Sequence, residues 1–122
     1  PRSDRAHVET NFFGPLRLTE ALLPLPSNGA TIANVTSDLG ALAGLSEPRR
    51  RQLADPGLTR ERLVALMEEC VATAASGWGA DAYGVSKAAL NALTRIRARE
   101  LAPLPEGGST GKVFRDGAEI PP

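Results

Sequence analysis

The sequence predicts an α/β chain that is rich in helix, with one central strand of the parallel type and a short C-terminal strand. Three observations carry that expectation. Apolar residues recur at helical spacing through most of the chain. A single short run, Ala30-Thr31-Ile32-Ala33-Asn34-Val35-Thr36, is β-branched and uncharged, as a strand buried on both faces should be. Turn residues crowd the stretch from Pro105 onward, which holds one further strand-like run, Lys112-Val113-Phe114-Arg115, ahead of an Asp116-Gly117 turn.

In chain order, Val8, Phe12 and Leu16 form the first helical stripe, Leu22 and Leu23 follow, and Pro24 and Pro26 end it. Within this helix lies Asn11-Phe12-Phe13-Gly14-Pro15, with a proline well past the first turn. Pro15 has no N–H to give to the carbonyl of Asn11, so the helix should bend there. The result is either a simple kink or a freed carbonyl that binds water or a ligand; local physics leaves both open.

The strand run 30–36 follows a Ser27-Asn28-Gly29 turn and stops at Ser37-Asp38-Leu39-Gly40. In open α/β sheets, reacting groups gather beyond the carboxyl ends of strands, where Ser37 would place a functional hydroxyl. Strand-ending serines also serve as turn formers. Residues 46–77 then read as a helical excursion. Ser46 is positioned to cap a helix over 47–54, Asp55-Pro56-Gly57 turns the chain, and Thr59 is positioned to cap a second helix. Its stripe of Leu63, Leu66, Met67, Cys70 and Ala74 reads as core or as a docking face, ended by Ser76-Gly77. Cys70 within it reads as a small buried hydrophobe, and the run Arg49-Arg50-Arg51 as a solvated helix face.

The next helix carries Tyr83 and Lys87 one turn apart, with Val85, Ala89, Leu93 and Ile96 on its apolar side, and ends before Pro103. A fixed positive charge within about 4–6 Å of a phenol favours the phenolate, so such a pair can exchange a proton near neutrality. Taken alone, Tyr-x-x-x-Lys is more often a half-buried Tyr and a surface Lys, and it acquires meaning only with partners.

Composition bounds those partners. The 122 residues make one domain, and 42% hydrophobic content supports one modest core. Lys and Arg number 14, as do Asp and Glu, which gives no nucleic-acid footprint. One cysteine excludes an internal disulfide and fits a reducing, cytoplasmic compartment. No apolar run approaches the ~20 residues of a membrane span, residues 1–6 are not a signal peptide, and the chain starts without Met, as the middle of something longer would. Three motifs fail on inspection. The run Gly107-Gly108-Ser109-Thr110-Gly111-Lys112 has Glu106 and Val113 where a phosphate loop needs Gly and Ser or Thr, and it precedes a strand instead of following one. Asn34-Val35-Thr36 is a glycosylation sequon inside an expected buried strand. His7 has no metal-ligating partner at usable spacing, so no metal site is expected.

What remains is Asn11 on a broken helix, Ser37 at a strand end, and Tyr83 with Lys87 on a later helix. Through Thr10-Asn11-Phe12-Phe13-Gly14, Asn34-Val35-Thr36-Ser37 and Tyr83-Gly84-Val85-Ser86-Lys87, the chain resembles the short-chain dehydrogenase/reductase family over nearly its whole length. The long separation of Ser37 from Tyr83, with a helical excursion between, resembles the carbonyl-reductase-like branch. The resemblance implies part of a Rossmann-like, doubly wound fold in which residues 1–122 form the catalytic C-terminal portion with a helical insertion at about 46–77. It implies reduction of a small-molecule carbonyl to an alcohol with NADP(H), or NAD(H), as cofactor, by a monomer once the chain is complete. Tyr83 would protonate the substrate oxygen, Lys87 would assist it and hold the nicotinamide ribose, Ser37 would hold the carbonyl, and Asn11 would tether a water through its main-chain carbonyl. The family's glycine-rich diphosphate-binding turn has no counterpart here, so catalysis is expected only in a completed chain. The alternative is a shortened, non-catalytic relative that serves as a helical interaction module or has no function.

Overall fold

The computed structural model describes residues 2–24, 32–37, 41–73, 75–100, 113–115 and 118–120. Helix α1 (Arg2–Val8) runs through a π-helical turn (Glu9–Phe13) into α2 (Gly14–Leu22). After a short 3-10 turn (Leu42–Gly44) come α3 (Glu47–Ala54), α4 (Arg60–Thr73), a second 3-10 turn (Ala75–Trp78) and the long α5 (Ala82–Glu100). Strands β1 (Val113–Arg115) and β2 (Ala118–Ile120) pair antiparallel, Val113 opposite Ile120.

Local chemistry explains where the helices begin. Asp81 Oδ1 accepts the Gly84 N–H at 2.8 Å, an N-cap that starts α5, and Thr59 Oγ1 accepts the Arg62 N–H at 3.1 Å at the start of α4. Ser46 does not act in the expected way. It occupies the N-cap position of α3, but its side chain makes no capping hydrogen bond; its backbone N–H instead donates to Trp78 O at 2.7 Å. That bond ties the start of α3 to the turn before α5.

Helix α5 is the hub: α1, the π turn, α3, α4 and the 75–78 turn all pack against it. Val8, Phe12, Leu63, Leu66, Met67 and Val85 meet there fully buried, each side chain stabilising the fold by roughly 1.5–3 kcal/mol. Leu22 is 52% exposed and Leu23 37%, so the first stripe stops burying side chains at Leu16.

The central strand expected over residues 30–36 is not seen among the described residues. Residues 32–37 carry no regular secondary structure, and Ile32 and Val35 are 48% and 86% exposed. Strand structure needs neighbours to take up its backbone N–H and C=O groups, and among the described residues none lies alongside. At the C-terminal end, β1 lies within the expected run 112–115, and β2, which was not expected, pairs with it antiparallel. The Gly107–Lys112 run lies outside the described residues, as do Ala30 and Thr31 of the expected strand and Ala74 of the expected helical stripe.

Candidate active site

Tyr83, Lys87, Asn91 and Thr94 follow one another at helical spacing down a single side of α5. The segment 32–37 is laced onto that side by polar contacts. Asn34 Nδ2 donates to Thr94 Oγ1 at 3.0 Å, Thr36 Oγ1 donates to Asn91 Oδ1 at 2.6 Å, and Lys87 Nζ donates to Val35 O at 3.2 Å. Two residues of progress along the segment, from Asn34 to Thr36, correspond to about one turn of α5 toward its N-terminus. Ser37, half-buried, is the next residue along.

At the N-terminal end of the stripe, the Lys87 ammonium stands 5.8 Å from the centre of the Tyr83 ring. Tyr83 is half-buried, and the His7 ring meets it edge-on with centroids 5.9 Å apart and planes at 82°. Of the three N–H donors on Lys87, the contact with Val35 O uses one, and among the described residues none takes up the other two, which suit hydroxyl oxygens.

Asn11 reaches the same helix from the π turn. Its Nδ2 donates to Ser86 Oγ at 3.1 Å, and Ser86 Oγ donates in turn to Tyr83 O at 2.7 Å. The chain of bonds fixes the widened turn against the segment of α5 that carries Tyr83 and Lys87. The turn itself is made by Gly14, whose N–H bonds Glu9 O five residues back. Pro15 follows at once, and its missing N–H makes the irregularity cheap, because a proline would leave a carbonyl without its usual partner in a regular helix anyway. Single π turns in helices occur often at functional sites.

Sequence reasoning singled out Asn11, Ser37, Tyr83 and Lys87 but gave no part to Ser86, Asn91 or Thr94. Ser86 and Asn91 are buried polar residues on the otherwise apolar buried face of α5, and a polar side chain at such a position must find a partner. That was the available signal. Arg49 also departs from expectation: it is not on a solvated face but stacks 4.3 Å from the Trp78 ring centre and pairs with Glu69 at 2.6 Å, while Arg51 pairs with Glu47 in the open. Cys70 is fully buried, and desolvation chiefly, then the Asp4 charge, pushes its thiol up to about 11.

No family model matches the chain. It is 33% identical over 108 residues to "Carbonyl reductase [NADPH] 1" of Homo sapiens, an alignment covering 82% of this chain and 39% of that protein. It is 38% identical over 105 residues to "Short-chain dehydrogenase/reductase 1" of Saponaria officinalis, covering 76% of this chain and 35% of that one. Among solved structures, "Menthone neomenthol reductase from Mentha piperita" superposes with a TM-score of 0.77 at 33% identity, over 88% of this chain and 49% of that one. The chain thus spans about two fifths of the length of the curated relatives it matches. Similar in sequence to carbonyl reductases and in fold to a menthone reductase, the chain belongs to the short-chain dehydrogenase/reductase family, in its carbonyl-reductase-like branch.

Proposed function

We propose that this chain supplies the proton-donating half of a carbonyl reduction, with NADP(H) as the hydride source and a small-molecule ketone or aldehyde as substrate. The single observation that carries the reading is the union, on one turn of α5, of a phenol, an ammonium with donors to spare, and the Asn11–Ser86 tie that holds them in register. A nicotinamide cofactor would supply the hydride. The chain's own residues have the chemistry to receive its ribose end, because Lys87 retains two N–H groups beside the Tyr83 hydroxyl-bearing ring. Nothing in the sequence provides a glycine-rich turn for the diphosphate.

On this reading Tyr83 donates its hydroxyl proton to the substrate oxygen as negative charge develops there, and Lys87 stabilises the phenolate left behind. Ser37 holds the same oxygen by hydrogen bonding. Asn11 orders water near Lys87 through its main-chain carbonyl while its side chain is spent on Ser86. The segment 46–77 is the branch's insertion, folded here as α3, α4 and the 75–78 turn.

A second reading, a non-catalytic interaction module, draws on the exposure of Ile32 and Val35 beside the stripe. Titrating the 122-residue chain with NADPH while following nicotinamide fluorescence separates the two. Saturable micromolar binding supports the reductase reading, and absence of binding up to millimolar NADPH supports the module. In a longer protein that turns over, Tyr83→Phe should lower reductase kcat by about 10²–10⁴-fold while NADPH affinity persists. Unchanged turnover would remove the role given to Tyr83.

A further inference from the structure

On another side of α5 from the Tyr83 stripe, Ala92, Arg95, Ile96 and Arg99 face the α3–α4 linker across a pocket of about 230 Å³. Leu53, Ala54, Pro56 and Leu58 complete an apolar wall, and Asp55 stands at the linker. Two guanidinium groups therefore share one small concavity. Arg95 is half-buried and among the described residues approaches the Leu53 carbonyl, at 3.5 Å; Arg99 donates to the Leu58 carbonyl at 2.9 Å.

Neither is paired with a carboxylate among the described residues, whereas Arg17, Arg49, Arg51, Arg60 and Arg97 each are. Each guanidinium carries five N–H donors, so most of the donors on both groups are uncommitted. Among the described residues the one acid at the pocket is Asp55, which has an oxygen already accepting the Gly57 N–H at 2.8 Å. Burial, and then the Arg99 charge, disfavour the charged form of Arg95, a cost that a bound anion would offset.

We propose that this pocket binds a small carboxylate with a ring-sized apolar body. The carboxylate would bridge Arg95 and Arg99, and the body would lie against Leu53, Leu58, Ala92 and Ile96. Size supports that class. A cavity of about 150 Å³ holds benzene, whereas drug-sized ligands need about 300–1,000 Å³. The site is independent of the reductase reading, because it lies off the Tyr83 stripe and uses none of its residues.

The test is calorimetric titration of the full chain with benzoate, and with benzamide as the neutral molecule of the same shape. Benzoate should saturate with a Kd of about 1 mM or tighter, and benzamide should bind at least about tenfold more weakly. Arg95→Gln and Arg99→Gln should each lower benzoate affinity about tenfold, and Arg51→Gln, on an exposed pair with Glu47, should leave it unchanged. Equal binding of benzoate and benzamide by the unaltered chain would overturn the proposal, as would no saturation by benzoate tenfold above that Kd. Inorganic phosphate binding as tightly as benzoate would also overturn it, since the apolar wall would then contribute nothing.

Discussion

Gly79 gives the sharpest test of how the helices are held together. Its φ is +86°, a conformation that costs an L-residue about 1–2 kcal/mol. A Cβ placed there would lie 2.5 Å from Ser46 N, 3.1 Å from Leu45 C and 3.2 Å from Ser46 Cα, all backbone atoms. No side-chain rotation can relieve that contact, so the 45–46 and 78–79 segments must part, and the 2.7 Å Ser46 N–H to Trp78 O bond goes with them. Losing it adds about 1–2 kcal/mol, so Gly79→Ala should destabilise the fold by about 2–4 kcal/mol, a large share of the ~5–15 kcal/mol typical of a domain. Gly44 is the control. A Cβ there meets nothing within 4 Å, and Gly44→Ala should fall within about 0.5 kcal/mol of the parent or be slightly more stable. Urea unfolding followed by the fluorescence of Trp78, the sole tryptophan, 1% exposed and stacked under Arg49, reads both variants. Equal midpoints for Gly79→Ala and Gly44→Ala would refute the reasoning.

Three further expectations rest on individual side chains. Glu20 binds Arg60 Nε at 2.5 Å and Arg97 at 3.0 Å, and the Arg60 hydrogen bond chiefly holds its carboxyl below the ordinary 4.5. A depressed carboxyl stabilises the fold fully above its unfolded value and loses that effect as pH falls through the lower, folded one. The stability gap between the parent and Glu20→Gln, at most about 1 kcal/mol for so exposed a group, should therefore be present at pH 7 and close below pH 4.5; a gap that widens on acidification would contradict the pairing. Cys70, with its thiol raised to about 11, should resist a disulfide-exchange reagent at pH 8 until urea unfolds the chain, and rapid labelling of the native chain would show that the α4 stripe is not sealed. For Asn11 and Ser86, a double-mutant cycle with alanine at each should give a coupling of about 0.5–1.5 kcal/mol in urea melts, and additivity would mean the tie carries no energy.

The helices were legible because their information is local. Val8, Phe12 and Leu16, the α4 stripe and the α5 apolar side each announce a period that needs no partner to be recognised, and all the described members of these three stripes are buried. The strand at 30–36 was not legible in the same way. β-branched, uncharged residues state only that a segment would suit a sheet, and whether it joins one depends on chain elsewhere. Arg49 shows a similar limit: Trp78, the ring that recruits it, lies on a different turn, beyond the reach of any window around the arginine run. At Pro15 the sequence located the irregularity but not its kind, because a kink and a π turn differ only in which carbonyl Gly14 N–H selects. For the site, Tyr83 and Lys87 sharing a face followed from spacing alone, whereas the three laces from residues 34–36 depend on where an unpatterned segment comes to rest.

The stripe on α5 makes that helix a ruler. Lys87, Asn91 and Thr94 hold the 32–37 segment at fixed rotations around the axis that also carries Tyr83. Adding one residue between Tyr83 and Lys87 would turn the phenol by about 100° away from that segment while leaving every downstream lace intact. A lengthened helix of this kind would keep its grip on the segment and point its phenol elsewhere, so on the proposed reductase reading such variants would stay folded yet lose turnover.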